Sequence, residues 1–208
     1  EITYEGVAVS GDLTLSSYDG TYTYPNSGSF EITNNASGGE LTVNSDAPNI
    51  ATASLDGNTV TVKSGTTAGK AIITVTSAEA SNYNEKSATY TATVNNGTIS
   101  LSATPYNGTY DGKAHNALTN VSANPSDAKI EYSINGGTYS TTMPTVTNTS
   151  SFTVTVRASK AGYKTQSTTQ TTKVNKANGS LSLSSYSGTI NYPNSTSFTT
   201  SGTGSISA

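Results

Sequence analysis

The sequence predicts an all-β chain organised as a tandem array of β-sandwich modules, and three observations carry that prediction. Apolar residues alternate with Thr and Ser at a period of two along most of the chain, while apolar positions at helical spacing are almost missing. The phrase LSSYDGTYTYPNS, Leu15 to Ser27, returns 168 residues later as LSSYSGTINYPNS, Leu183 to Ser195. A shorter form, YNGTY at Tyr106, lies between them, 88 residues after Tyr18 and 80 before Tyr186. The period is therefore a module of about 85 residues in two alternating types, too long for a solenoid turn.

The elements follow in order from local chemistry. Leu13 and Leu15, like Leu181 and Leu183, alternate as inward residues of a first strand. Gly20 and Gly188 are expected to allow a kink or bulge that carries this strand from one sheet to the other. Tyr24-Pro25 is expected to restart an extended segment, because proline favours extension in the residue before it. Phe30 and Phe198 supply a core aromatic. Between Ala51 and Lys63, two β-branched runs meet at Asp56-Gly57-Asn58, a hairpin signal. Ile73 and Val75 then lie in the apolar run AIITVTS, and Ala88, Tyr90, Ala92 and Val94 alternate with Thr and Ser.

The second module uses other words for the same logic. AKIEYSINGGTYS reads as a hairpin around Asn135-Gly136-Gly137, where Asn-Gly readily supplies positive φ angles. Phe152, Val154, Val156 and Ala158 alternate inward, and KTQSTTQTTKV reads as a last, mostly polar strand ending at Val174. The seams, VNNGT at Val94 and VNKANGS at Val174, are a few residues long, too short to act as flexible tethers.

These residues reach a family. NIATASLDGNTVTVKSGTTAGKAIITVTS, Asn49 to Ser77, resembles the bacterial Ig-like group 2 module in its ordered strands. YDGKAH (Tyr110 to His115), EYSINGGTYS and VRASKAGYKT resemble the MBG-type Ig-like repeat of bacterial surface proteins. The resemblance implies four segments. Residues 1–10 are the last strand of a preceding module, 11–95 a group 2 type sandwich, 96–175 an MBG-type sandwich, and 176–208 the truncated start of another group 2 type module. It implies an extracellular array, on a bacterial surface or a phage virion, and carries no catalytic residues to transfer.

Composition narrows the function. Charge is sparse, with 10 Lys and Arg against 13 Asp and Glu, and no basic cluster marks a nucleic-acid or anionic-lipid partner. No apolar run approaches the length of a membrane span. Cysteine is absent and His115 is the sole histidine, so disulfide stapling, His/Cys zinc sites and thiol nucleophiles are excluded. His115 has no GxSxG elbow to serve, and the carboxylates are scattered singly rather than paired across a cleft. Asp-Gly at Asp19, Asp56 and Asp111 lacks the acid density that calcium requires and reads as turn chemistry. No cofactor is expected, and no spacing singles out a Lys–Asn or Lys–Asp crosslink.

Tyrosine is the one residue type in excess with a binding meaning. Tyr106, Tyr110, Tyr132, Tyr139 and Tyr163 are the candidate ligand contacts, able to stack on a glycan ring or line a protein contact. The leading expectation is a non-enzymatic spacer whose partners are neighbouring modules of the same chain. The alternative is that the modules themselves bind host glycan or protein through these tyrosines.

Overall fold

The computed structural model describes residues 9–80, 82–184, 189, 197 and 199–202. Expectations for residues 1–8 and for Tyr186, Gly188, Pro193 and Phe198 lie outside the described residues. Among those described there are strands and turns and no helix.

The first sandwich packs two four-stranded sheets. One contains β2 (Leu13–Leu15), β4 (Ser27–Asn35), β7 (Thr59–Ser64) and β6 (Ala51–Asp56), in the order β2-β4-β7-β6. The other contains β3 (Asp19–Thr23), β10 (Lys86–Asn95), β8 (Gly69–Ser77) and β5 (Leu41–Ser45), in the order β3-β10-β8-β5. Two short strands, β1 (Val9–Ser10) and β9 (Tyr83–Asn84), pair in parallel at its incoming end.

The expected alternation is present. Val60, Val62, Ile73, Val75, Tyr90, Ala92 and Val94 are buried, and Phe30 stacks on Tyr90 with ring centroids 4.2 Å apart. Asp56 pairs directly with Thr59 around Gly57-Asn58, so β6 and β7 form the expected hairpin, with Gly57 at φ 57°.

The second sandwich is leaner. Its larger sheet has β13 (Asn107–Thr109), β20 (Gln166–Asn175), β18 (Ser150–Ser159) and β16 (Lys129–Ile134), in the order β13-β20-β18-β16. Facing it, β12 (Ser100–Pro105) pairs with β15 (Leu118–Asn124), and β14 (His115–Asn116) with β17 (Thr145–Val146). At its incoming end, β11 (Gly97–Thr98) pairs in parallel with β19 (Tyr163–Lys164). Its core is two small clusters, one around Leu118, Val154 and Val156 and one around Ile99 and Ala158. No buried cluster draws residues from both sandwiches. Each module holds its own core.

The repeated YxGTY phrase marks a strand crossing. In the first module β2 pairs with β4 in one sheet, and β3 then pairs in parallel with β10 in the other. In the second, β12 pairs with β15 before β13 joins β20. Gly20 is not the kink that the sequence suggests. The crossing falls at Ser16 to Tyr18, and Gly20 lies inside β3 without a positive φ. Its small size is needed for another reason: a Cβ there would lie 1.9 Å from the Tyr90 hydroxyl. Gly108 is alike, with the Tyr106 hydroxyl 2.3 Å from a built Cβ.

Three further expectations change. Tyr24-Pro25 is a turn, with its peptide bond cis and the Asn26 N–H donating to the Thr23 carbonyl at 2.9 Å, rather than a restarted strand. The Asn135-Gly136-Gly137 turn forms, yet its return arm touches β16 only through the Tyr132–Ser140 bridge, and the long partner of β16 is β18. Leu181, in β21 (Leu181–Leu183), is 63% exposed rather than inward. Its only paired neighbour among the described residues is β22 (Thr200–Gly202), which brings no opposing sheet to cover it.

Candidate functional site

Two places gather side chains in arrangements that packing within one sandwich does not require. The first is the seam between the modules. A single residue, Asn96, separates β10 from β11. The Tyr24 N–H donates to the Asn95 carbonyl, and the Gly97 N–H to the Gly162 carbonyl, both at 2.9 Å.

The Tyr24 side chain, from the β3–β4 turn of the first sandwich, then reaches the second. Its ring meets that of Tyr163 edge-on, with centroids 5.3 Å apart at 89°. It lies against Gly162, where a built Cβ would be 2.5 Å from Tyr24 Cδ1. Gly162 also has φ 82°, a left-handed conformation that side chains disfavour. At Gly97 a Cβ would sit 2.5 Å from the Tyr24 carbonyl oxygen and 2.7 Å from the Tyr163 ring. In the socket so formed, Gly162 makes room for the Tyr24 ring, and Gly97 for the Tyr24 carbonyl and the Tyr163 ring. An edge-to-face aromatic pair adds about 0.5–1.5 kcal/mol beyond its area, enough to bias a joint by up to roughly tenfold.

Lys160 borders this socket. Its Nζ bonds to Asp127 and lies 5.6 Å from the Tyr163 ring centroid. The Lys160 hydrogen bond holds the Asp127 carboxyl below the usual range, and Asp127 in turn raises the Lys160 ammonium. The pair stays open to solvent, with Asp127 69% exposed, so it is an ordinary ion pair rather than a sequestered crosslink site.

The second place is the outer face of the large sheet in the second sandwich. Arg157, the sole arginine, lies 3.8 Å above the Tyr139 ring and donates from Nη2 to Glu131 at 2.8 Å. Lys129 also reaches Glu131, at 2.8 Å, and hydrogen bonds from Lys129 and Arg157 hold that carboxyl down. Hydroxyl pairs, Thr155–Thr169 here and Thr76–Ser87 in the first sandwich, line the neighbouring outer faces at 2.8 and 2.9 Å.

The five candidate tyrosines do not form one platform. Tyr163 is in the seam. Tyr106 stacks on His115 at 4.5 Å, and His115 bonds through Nε2 to Asp111 at 3.0 Å. That bond holds the Asp111 carboxyl down. Tyr132 packs against the core beneath a groove of about 250 Å³ lined by Ile134, Thr138, Ser140 and Pro144, and burial pushes its hydroxyl up. Tyr110 and Tyr139 are exposed, at 43% and 38%. Among the described residues no three His, Cys, Asp or Glu side chains gather as a metal site, and no helix is long and apolar enough to cross a membrane.

The sequence marked Tyr24 only as the start of an extended segment, and did not mark Gly97 or Gly162. The available signal was the recurrence of Tyr-Pro at Tyr24-Pro25 and Tyr192-Pro193, and the change from Asn82-Tyr83 to Gly162-Tyr163 between modules.

No family model and no curated protein matches this chain. Solved structures with which it is similar are tandem β-sandwiches. The I-band fragment I67-I69 from titin is 14% identical over 92% of this chain and 86% of that one, with a TM-score of 0.35. The insect immune protein hemolin is 11% identical over 85% of this chain, with a TM-score of 0.34. This chain spans 48% of the hemolin chain. The fibronectin(III)-like modules of Clostridium thermocellum CbhA are 10% identical over 79% of this chain and 95% of theirs, at a TM-score of 0.31. The fold itself, two β-sandwich modules resembling tandem Ig domains, stands on the sheets described above.

Proposed function

We propose that this chain is a non-enzymatic spacer of tandem Ig-like modules, in a bacterial surface protein or phage appendage, that holds a binding element located elsewhere. The observation that supports it most is the seam, where one linking residue and the Tyr24 ring leave the two sandwiches little slack. Separate cores and neutral hydroxyl-lined faces suit the same role. The bacterial or phage setting rests on the group 2 and MBG-type resemblances, with residues 11–95 and 96–175 as the two modules.

Small-angle X-ray scattering of the chain tests this reading. The spacer requires a profile that fits one end-to-end arrangement of the two sandwiches. A profile that needs a broad ensemble of angles would overturn it.

The second reading, a glycan- or protein-binding face, is supported by the exposed Tyr139, whose ring centroid lies 3.8 Å from the Arg157 guanidinium carbon. A glycan array probed with the chain separates the two. Saturable binding that is lost in Tyr139→Ser would establish the binding face; a blank array with the fold intact would retire it.

A further inference from the structure

The two ends of a module are not interchangeable, and the differences fall on the residues that make the seam. The incoming ends share a backbone device: Val9 pairs with Tyr83 in the first module as Gly97 pairs with Tyr163 in the second. The socket glycines are not shared. Asn82 and Val9 stand in the first module where Gly162 and Gly97 stand in the second. Gly162 is buried, whereas Asn82 is exposed.

The outgoing ends, by contrast, both carry a tyrosine. The sheet register sets Tyr110 at the position of Tyr24: Thr109 pairs with Asn175 as Thr23 pairs with Asn95, and the Tyr110 N–H donates to the Asn175 carbonyl at 2.9 Å as the Tyr24 N–H does to that of Asn95. The second module's ring, Tyr110, is exposed and leads into Asp111-Gly112-Lys113, with Gly112 at φ 76°, where Tyr24 leads into Pro25.

We infer that Tyr24 and the Gly97/Gly162/Tyr163 face are a directional knob and socket, which lock a module of the first type only to a following module of the second type. A side chain at either glycine position would overlap the docked ring or its carbonyl, so the incoming end of the first module cannot receive the knob in this pose. The Tyr110 ring at the outgoing end of the second is thereby left without a socket on a following module of the first type. In an array that alternates these types, every second seam is locked, and the rigid unit is the pair of sandwiches within the 168-residue repeat. This consequence rests on the spacer reading above. The knob itself does not.

The absence of native cysteine makes the test direct. Spin labels at Ser54→Cys and Ser167→Cys, both exposed, report the distance between sandwiches in the 208-residue chain by pulsed electron–electron resonance. The parent should give one narrow distance peak. Gly162→Asn, which installs the residue found at Asn82, and Tyr24→Gly, which removes the ring, should each lose that peak to a broad distribution. Tyr24→Phe should keep it, because the ring fills the socket.

A narrow peak that survives both Gly162→Asn and Tyr24→Gly would overturn the knob and socket while leaving the spacer standing. So would a peak lost in Tyr24→Phe. A parent that is already broad would overturn both. Thermal unfolding reports whether each variant keeps its sandwiches. If Gly162→Asn unfolds the second one, Tyr24→Gly, which leaves that module untouched, decides alone.

Discussion

The hydroxyls of Tyr22 and Tyr90, 68 residues apart in the chain, lie 2.7 Å from one another beside Gly20. This contact ties the crossing strand β3 to its sheet neighbour, the last strand β10. It also explains a glycine that turn chemistry does not.

Gly20→Ala should therefore destabilise the first sandwich. The added methyl falls on the Tyr90 hydroxyl, and Tyr90 is held on its ring face by Phe30. Overpacking of this kind costs about 1–3 kcal/mol. Urea unfolding should show an earlier first-module transition and an unchanged second one.

The same pair sets a limit at high pH. Burial first, then the hydrogen bond with Tyr22, raises the Tyr90 hydroxyl above the ordinary tyrosine value of 10.0. The unfolded chain thus releases this proton at lower pH than the folded one. The contribution is complete below the ordinary value and is lost as pH rises through the raised one. Denaturation midpoints of the first sandwich should fall as alkali carries the pH from the ordinary value toward the raised one, and Tyr90→Phe should flatten this dependence.

In the second sandwich, Thr172 is fully buried in the polar strand β20 and its hydroxyl donates to the Ala117 carbonyl. Thr172→Val keeps the shape and removes that bond. The Ala117 carbonyl still accepts from the Tyr106 N–H, so no buried acceptor is stranded. The expected loss is about 1 kcal/mol, read as a shift of the second-module midpoint.

Separate cores predict separate melting. Leu118→Ala should cost about 2–5 kcal/mol in the second sandwich alone, and Ile73→Ala a similar amount in the first alone. The second, with the smaller buried clusters, should unfold first in calorimetry. A single merged transition in the parent and in both variants would contradict independent modules.

Most of the strand layout was legible because its causes are local. Alternating Val and Thr predicted β7 and β18, and Gly57 and Asn135 marked turns because few other residues accept a positive φ. Leu13, Leu15 and Phe30 were readable as core for the same reason. Tyr24-Pro25 was not, since the same dipeptide serves an extended segment or a turn, and only the Thr23–Asn26 hydrogen bond distinguishes them. The candidate tyrosines were visible as a set by composition, but where each ring packs depends on partners far along the chain.

The sequence alone determined that the protein is a cysteine-free, all-β chain of repeating modules, because period-two patterning and turn residues act over a few positions. The tertiary structure alone decided what the glycines and tyrosines are for. Gly20 answers to Tyr90, and Gly162 to Tyr24, across 70 and 138 residues. The shape of a ring against a bare backbone exists only once distant strands are brought together.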